Sequence, residues 1–316
     1  MSPEPPRSDS RDTASLRLLV TGIAGFLGAH LSRVATDTDW EVVGTTRASP
    51  TPYPHVELDL AEEGAARDAI ERLAPDAVIH CAANARTNEC ERFPELAERD
   101  NLLATRLLAD ACEGIPLVVC STDLVFDGKR PGGMYAEADE PKPINVYGRS
   151  KLAMERMLRD TGSHAIVARL PLLFGPPATA SARGCFLSSW SDHLRGGEEL
   201  VLFTDEWRTP LSARDAGRGL LACLDRGTPG EIYHIAGAER IDRYDLGQRF
   251  ATHAAGPLGF DARLIKPGLQ TDVPMLAPRA KDVSLDGGRV ARNLGFTASP
   301  LDGELAWTAR AMAGAG

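Results

Sequence analysis

Residues 16–36 read LRLLVTGIAGFLGAHLSRVAT, and this stretch decides the fold class. A short apolar run leads into a turn with Gly22, Gly25 and Gly28, and apolar residues at helical spacing follow. The pattern predicts a strand, a glycine-rich turn and a helix. Such glycines allow a tight turn, a close approach of the backbone to a pyrophosphate and close helix–sheet packing. Three glycines in a surface loop are the alternative, but their place between strand and helix favours a dinucleotide site.

Further strands alternate with helices along the first half of the chain. Strand patterns cover residues 40–45, 56–60, 76–80, 115–121 and 165–169, and helical patterns cover 65–74, 95–112 and 146–161. Short strands that alternate with helices are typical of βαβ crossovers and a parallel sheet. The sequence therefore predicts an α/β fold with a doubly wound, Rossmann-type parallel sheet.

After Pro171 this rhythm changes. Residues 175–211 are rich in Gly, Pro, Ser and Trp, and the segments after Gly237 are short and interrupted by prolines. This indicates a smaller C-terminal substrate lobe that interleaves with the last elements of the sheet. We assign the regions as follows: 1–15 a disordered tail, 16–172 and 212–238 an NAD(P)-binding domain, 173–211 and 239–316 a substrate-binding lobe. A ligand is expected between them, above the carboxyl ends of the strands.

Composition and charge exclude several classes of protein. The 316 residues are 43% hydrophobic and 25% charged, which is the balance of a globular enzyme. A net charge of −9 argues against nucleic-acid or anionic-membrane partners. No apolar run approaches the ~20 residues of a membrane helix. The first 15 residues are polar and proline-rich without the apolar core of a secretory signal, so the expected location is the cytoplasm.

Cysteine and histidine spacing gives no support for a disulfide scaffold or a metal site. The six cysteines lie far apart without a C-x-x-C pair, which favours reduced thiols. The seven histidines form neither H-x-H nor H-E-x-x-H. We therefore expect no metal.

The end of the second predicted strand bears on the choice of cofactor. It reads VVGTTR, so Arg47 stands where NAD-binding proteins usually carry an acid that grips the ribose hydroxyl. An arginine there can hold a 2′-phosphate, which favours NADP(H), with NAD(H) as the alternative. The other interpretation of Arg47 is a solvated loop residue. Asp59, after the third strand, either caps the following turn or hydrogen-bonds the adenine amino group.

Tyr147 and Lys151 form a Y-x-x-x-K pair in a predicted helix, so both side chains lie on one face. A lysine ammonium stabilises a phenolate and is expected to lower the tyrosine pKa from its usual ~10. Thr122, in CSTDLVFDG, follows the fifth predicted strand and can donate to a substrate carbonyl oxygen. The three residues predict carbonyl chemistry with tyrosine as the acid–base group.

TGIAGFLG, HCAA, STDLVFDG, YGRSK and ARLPLLFG together resemble the extended short-chain dehydrogenase/reductase family, and within it the dTDP-4-dehydrorhamnose reductase branch. The resemblance implies a catalytic triad of Thr122, Tyr147 and Lys151, with Asn101 supporting the lysine through a water. The cofactor-binding residues are then Gly22, Ala24, Gly25, Phe26, Leu27, Gly28, Arg47, Asp59, Leu60, Cys81, Ala82, Ala83, Tyr147 and Lys151.

The chain departs from that branch in its predicted substrate pocket. Leu172 stands where the branch carries a Trp against the sugar, and Arg86 occupies a position where small or acidic residues are common. The candidate substrate contacts are Arg86, Thr122, Asp123, Leu172, Trp190, Arg208 and Arg279. Trp190 has the alternative role of a core aromatic residue, and Arg208 that of a solvated or ion-paired side chain.

These features lead to the hypothesis of an NADPH-dependent reductase of a nucleotide-linked 4-keto-6-deoxy sugar or a related carbonyl compound. An epimerase or dehydratase that retains NAD is one alternative, although the missing acid after the second strand argues against it. A non-catalytic NADP-binding regulatory subunit, similar to the methionine adenosyltransferase β-subunit, is another. The expected partner is a small-molecule substrate, and a homodimer is left open.

Overall fold

The computed structural model describes residues 15–178 and 184–314. Apart from residue 15, the predicted N-terminal tail lies outside the described residues. The strands are β1 Arg17–Thr21, β2 Glu41–Thr46, β3 His55–Glu57, β4 Ala77–His80, β5 Leu117–Thr122, β6 Ile166–Leu170, β7 Leu173–Phe174, β8 Leu200–Phe203, β9 Trp207–Arg208, β10 Leu211–Ser212, β11 Ile232–His234, β12 Ile241–Asp242 and β13 Ile265–Gly268. The α-helices are α1 Phe26–Thr36, α2 Ala65–Leu73, α3 Thr87–Arg92, α4 Pro94–Ala97, α5 Ala104–Ala111, α6 Val146–Asp160, α7 Phe186–Arg195, α8 Ala213–Arg226, α9 Arg243–Leu258, α10 Gly288–Leu294 and α11 Leu301–Ala313.

In the described part of the chain the main sheet has seven strands in the order β11-β6-β5-β4-β1-β2-β3, and every neighbouring pair is parallel. The predicted doubly wound Rossmann-type sheet is confirmed. The strand order reverses between β1 and β4, so the connections that follow these two strands diverge. A crevice therefore opens above Thr21 and His80, which are paired at the carboxyl ends of the two strands.

The predicted helix over residues 95–112 is broken into α4, a π-helical turn Glu98–Leu103 and α5. The wider turn carries Asn101, which is fully buried. Its side chain accepts from the Asn84 backbone N–H at 2.8 Å and donates to the Asn84 carbonyl at 3.1 Å. Apolar periodicity does not distinguish a π turn from an α-helix, because the difference is set by this contact with the segment after β4.

The second half of the chain adds three small two-stranded sheets, β10-β7, β12-β9 and β13-β8. Here α7, α9 and α11 enclose an apolar core of their own, which includes Leu187, Phe250 and Leu305. Between α7 and α9 the chain returns to the main sheet through α8, which packs on α1, and through β11 beside β6. The residue boundaries assigned to the two regions stay a prediction.

A buried ion pair joins α6 to the main sheet. Arg169 on β6 donates to both carboxylate oxygens of Glu155 on α6, at 3.0 and 2.7 Å, and both side chains are at most 4% exposed. Ser121, near the end of β5, donates to the same carboxylate. The guanidinium of Arg169 also contacts the His234 ring at 3.3 Å. This network holds α6 against the strand that ends at Thr122.

We predict that Glu155→Gln lowers the free energy of unfolding by about 3–5 kcal/mol, because the Arg169 charge is left buried without its counter-ion. Urea-induced unfolding followed by circular dichroism measures the change. Asp160→Asn, which removes an exposed carboxylate from the end of the same helix, is the control and should change stability by less than about 1 kcal/mol. Equal effects of the two variants would contradict the role given to the buried pair.

Candidate active site

A cleft of about 580 Å³ lies above the carboxyl ends of the sheet strands, between the sheet and the second half of the chain. Many of the residues predicted for the cofactor, the catalytic set and the substrate line this one cleft. They are Gly22, Gly25, Phe26, Leu27, Gly28, Cys81, Ala83, Thr122, Asp123, Tyr147, Lys151, Leu172, Arg208 and Arg279.

The glycine-rich turn forms one wall of the cleft. Gly22 has φ +65°, and a Cβ atom there would lie 2.9 Å from the Cα of Ala82. A Cβ atom on Gly28 would lie 2.3 Å from the carbonyl oxygen of Gly22. The first turn of α1 therefore starts directly at the cleft, and its N-cap Gly25 offers no side chain to the free backbone N–H groups. This arrangement suits an anion such as a dinucleotide pyrophosphate.

Tyr147 and Lys151 lie one turn apart on α6, close to Thr122 at the end of β5, and all three side chains are buried. Burial, and then the charge of Asp123, raise the pKa of the Tyr147 phenol above its ordinary value. The expected lowering of this pKa by Lys151 is thus outweighed in the structure. Burial also lowers the pKa of the Lys151 ammonium. A phenol that keeps its proton at neutral pH is suited to act as a proton donor.

Asn101 reaches the catalytic helix by a direct route. Its amide donates to the Ser150 hydroxyl at 3.0 Å, and Ser150 donates to the Tyr147 carbonyl oxygen at 2.8 Å. Asn101 thereby fixes the turn of α6 that lies between Tyr147 and Lys151. Its predicted contact with Lys151 through a water stays a prediction.

Glu206 is the centre of a buried charge cluster on the opposite wall. Three guanidinium groups contact its carboxylate, those of Arg208 at 3.4 Å, Arg243 at 3.9 Å and Arg279 at 3.3 Å. Burial raises the pKa of the Glu206 carboxyl, but the three cations outweigh burial, so this pKa is lowered. Asp123 is the other carboxylate of the cluster, 3.9 Å from Arg208, so the arginines outnumber the acids.

Two atoms of this cluster have no hydrogen-bond partner among the described residues, Nη1 of Arg243 and Oδ2 of Asp123. The Arg243 guanidinium lies over the rings of Phe186 and Trp190, at 4.3 and 4.7 Å from their centroids. Burial lowers its pKa to about 10. A buried guanidinium nitrogen without a hydrogen-bond partner, with an excess of positive charge around it, can hold an anionic group of a ligand.

The site residues predicted from the sequence do not include Glu206, Phe186 or Arg243. These three residues come from three separate segments, and no spacing in the chain links them. Trp190, which was predicted, is buried in the core of the second half against Phe186 and does not line the cleft. Arg86 does not line the cleft and pairs with Glu89 at 2.8 Å.

The remaining predicted cofactor residues do not line the cleft. They are Ala24, Arg47, Asp59, Leu60 and Ala82. Ala82 backs Gly22, and Leu60 is buried in an apolar core with Leu19 and Val43. Asp59 accepts from the Ala61 backbone N–H at 2.9 Å, so it caps the turn as one of the two interpretations expects. Arg47 lies at the end of β2 with its side chain 61% exposed.

The described residues were compared with the requirements of a metal site, a disulfide and a membrane-spanning helix. Among residues 15–178 and 184–314, no group of three or more His, Cys, Asp or Glu side chains is arranged to hold a metal ion. The six cysteines all lie in these ranges as free thiols, and the Sγ atoms of Cys81 and Cys120 are 3.8 Å apart. No helix in these ranges combines the length and apolarity needed to cross a bilayer.

Asp123 gives the site a measurable dependence on pH. Burial raises the pKa of its carboxyl to about 6 from an ordinary 3.8. Between these values the folded chain keeps a proton that the unfolded chain releases, so this group lowers stability as the pH rises. We predict that the free energy of unfolding of Asp123→Asn, relative to that of the wild type, increases by up to about 3 kcal/mol as the pH rises from about 4 to 7.

Urea unfolding of both proteins across this pH range measures the difference. Asp127→Asn is the control with the opposite sign. Burial raises the pKa of the Asp127 carboxyl, but hydrogen bonds from the Lys129 N–H and the Tyr135 hydroxyl outweigh burial, so this pKa is lowered. Removal of the Asp127 carboxylate should therefore lower the free energy of unfolding by more as the pH rises. A flat difference for Asp123→Asn would contradict the raised pKa.

A family match, related sequences and solved structures agree on the family of this chain. Residues 16–312 match the family described as RmlD substrate binding domain. The chain is 32% identical over 291 residues to the "Probable low-salt glycan biosynthesis reductase Agl14" of Haloferax volcanii, covering 91% of this chain and 95% of that protein. It is 35% identical over 285 residues to "Methionine adenosyltransferase 2 subunit beta" of Pongo abelii, covering 85% and 80%.

A solved structure described as a hypothetical dTDP-4-dehydrorhamnose reductase from Sulfolobus tokodaii superposes with a TM-score of 0.75 at 30% identity. The superposition covers 91% of this chain and 99% of that one. The predicted resemblance to this branch of the extended short-chain dehydrogenase/reductases is confirmed. The chain belongs to the RmlD substrate binding domain family.

Proposed function

We propose that this protein is an NADPH-dependent reductase that acts on a nucleotide-linked 4-keto-6-deoxy sugar or a closely related carbonyl compound. The observation that carries the proposal is the set of residues that line one cleft. The glycine-rich turn, the residues Thr122, Tyr147 and Lys151, and the arginine cluster around Glu206 all line it. A relative named as a glycan biosynthesis reductase supports an oxidoreductase.

The residues present fit a dinucleotide. Gly22 allows the tight turn and Gly28 the close packing of α1 on it, the first turn of α1 offers backbone N–H groups, and Arg47 offers a cation for a 2′-phosphate. NADPH, when bound, supplies the hydride. Lys151 is placed to hold the nicotinamide ribose and to keep a positive charge beside Tyr147.

The chain supplies placement and the proton. Tyr147 donates the proton of its phenol to the carbonyl oxygen of the substrate, and the hydroxyl of Thr122 orients that oxygen. The raised pKa of the phenol keeps the proton available until the oxygen becomes negatively charged. The proton transfer therefore accompanies reduction of the ketone.

The arginine cluster supports a nucleotide-linked substrate over a free sugar. A diphosphate brings the negative charge that the cluster lacks, and Nη1 of Arg243 is a buried donor that has no partner among the described residues. Arg279, whose side chain is 41% exposed, stands on the solvent side of the cluster. Leu172, in place of the aromatic residue of the branch, leaves a different surface for the sugar ring.

A non-catalytic regulatory subunit is the second candidate function. It is favoured by the 35% identity to a protein named as the β-subunit of methionine adenosyltransferase 2. The presence of Thr122, Tyr147 and Lys151 in one cleft favours catalysis instead. An epimerase or dehydratase that retains NAD is the third alternative.

NADPH oxidation measured with dTDP-linked and UDP-linked 4-keto-6-deoxy sugars, and with a free keto sugar, separates these functions. With NADPH deuterated at C4, the reductase proposal expects deuterium on the former carbonyl carbon and activity only with the nucleotide-linked sugars. Binding of NADPH without turnover of any sugar would support the regulatory subunit. Tightly retained NAD with no net consumption of cofactor would support the epimerase or dehydratase.

We predict that Tyr147→Phe leaves NADPH binding nearly unchanged and lowers turnover by about 10²–10⁴, the range for loss of one positioned proton donor. Steady-state kinetics and fluorescence titration of NADPH measure the two quantities. The control is Tyr135→Phe, which removes a buried phenol that is bonded to Asp127 outside the cleft. If the Tyr147 variant kept more than about a third of the activity, the assigned proton donor would be wrong.

We also predict that Arg47→Ala weakens NADPH binding about tenfold and changes NADH binding by less than about twofold. Tenfold is the low end for a charged hydrogen bond, because the exposed guanidinium is screened by water and salt. Titration of both cofactors into the wild type, Arg47→Ala and the exposed control Arg67→Ala measures the effect. Equal affinities of the wild type for NADH and NADPH would reduce Arg47 to a surface residue.

A further inference from the structure

The sequence carries no acid at the end of β2, but the folded chain brings one there. Asp100, in the π-helical turn after β4, contacts Arg47 with its Oδ2 atom 3.1 Å from Nη1. Its other oxygen accepts from Nη1 of Arg99 at 2.7 Å. One carboxylate therefore joins two guanidinium groups beside the strand end where a Rossmann fold receives the adenosine ribose.

The positive and negative charges of this group are equal in number. Arg99 is also paired with Asp59, so ion pairs join four side chains of alternating charge, Arg47, Asp100, Arg99 and Asp59. The Asp100 side chain is 12% exposed and that of Arg47 is 61% exposed. The carboxylate is thus held in place by the fold, whereas the Arg47 side chain is open to solvent and accessible to a ligand.

We propose that Asp100 is a specificity-determining residue for the cofactor. The inference rests on the proposed NADP(H) site and deepens it. A 2′-phosphate must compete with the Asp100 carboxylate for Arg47 and is repelled by it. A 2′-hydroxyl, as in NADH, meets no repulsion and finds an acceptor in the same carboxylate. Asp100 therefore narrows the preference for NADPH that Arg47 creates.

The test uses the full chain and two fragments of the cofactors, 2′,5′-ADP and 5′-AMP, together with NADPH and NADH. Isothermal titration calorimetry gives the affinity of each without any turnover. Asp100→Asn is expected to raise the affinity for NADPH and 2′,5′-ADP by about three- to tenfold. The affinity for NADH and 5′-AMP should stay the same or fall by less than about twofold. Asp100→Glu, which keeps the charge, should stay close to the wild type.

Glu89→Gln is the matched control, since it removes a carboxylate whose charge also acts on Arg47 but whose hydrogen bond comes from Arg86. If this control tightened NADPH as much as Asp100→Asn, a general field and not the contact would act, and the inference would be overturned. If neither Asp100→Asn nor Glu89→Gln changed the affinity for NADPH, and the wild type bound NADPH normally, this inference alone would be overturned. A wild type that binds neither cofactor would overturn it together with the proposed function.

Discussion

The close contact between Gly28 and Gly22 is the constraint on which the cleft depends. Because no side chain stands between them, α1 begins at the carboxyl end of β1 and its first turn faces the cleft. The same helix packs on α8, where Gly217 would place a Cβ atom 3.2 Å from the Cα of Leu31. Since α8 lies between the strands that form the small sheets, this packing joins the second half of the chain to the main sheet.

The electrostatics of the cleft differ from those of the whole chain. The protein has a formal net charge of −9, yet the wall around Glu206 holds more cations than anions. In a buried site such charges act with little screening, so a local excess of arginine outweighs the overall charge for a ligand inside the cleft. Beside this cluster, burial and then the charge of Asp123 raise the pKa of the Tyr147 phenol, so the phenol keeps its proton. The cleft therefore suits both an anionic group and a carbonyl oxygen that accepts a proton.

Two neighbouring residues of the π-helical turn make contacts in different directions. Asn101 is buried and, through Ser150, holds the turn of α6 that carries Tyr147. Asp100 contacts Arg47, which follows β2. The widened turn changes the angle between consecutive side chains from that of an α-helix. One local distortion thereby places one side chain against α6 and the next against the segment after β2.

The sequence by itself determined the parallel sheet, the glycine-rich turn and the one-turn spacing of Tyr147 and Lys151, because each depends on the local backbone and on short periodicities. Only the tertiary structure decided which charges meet. Asp100 contacts Arg47 across 53 positions of the chain, and Glu206 gathers cations from three segments. It also decided that burial and Asp123 raise the pKa of Tyr147, where spacing alone suggested that Lys151 lowers it. Contacts and burial arise from packing between distant segments, and neither the spacing nor the composition of the chain records them.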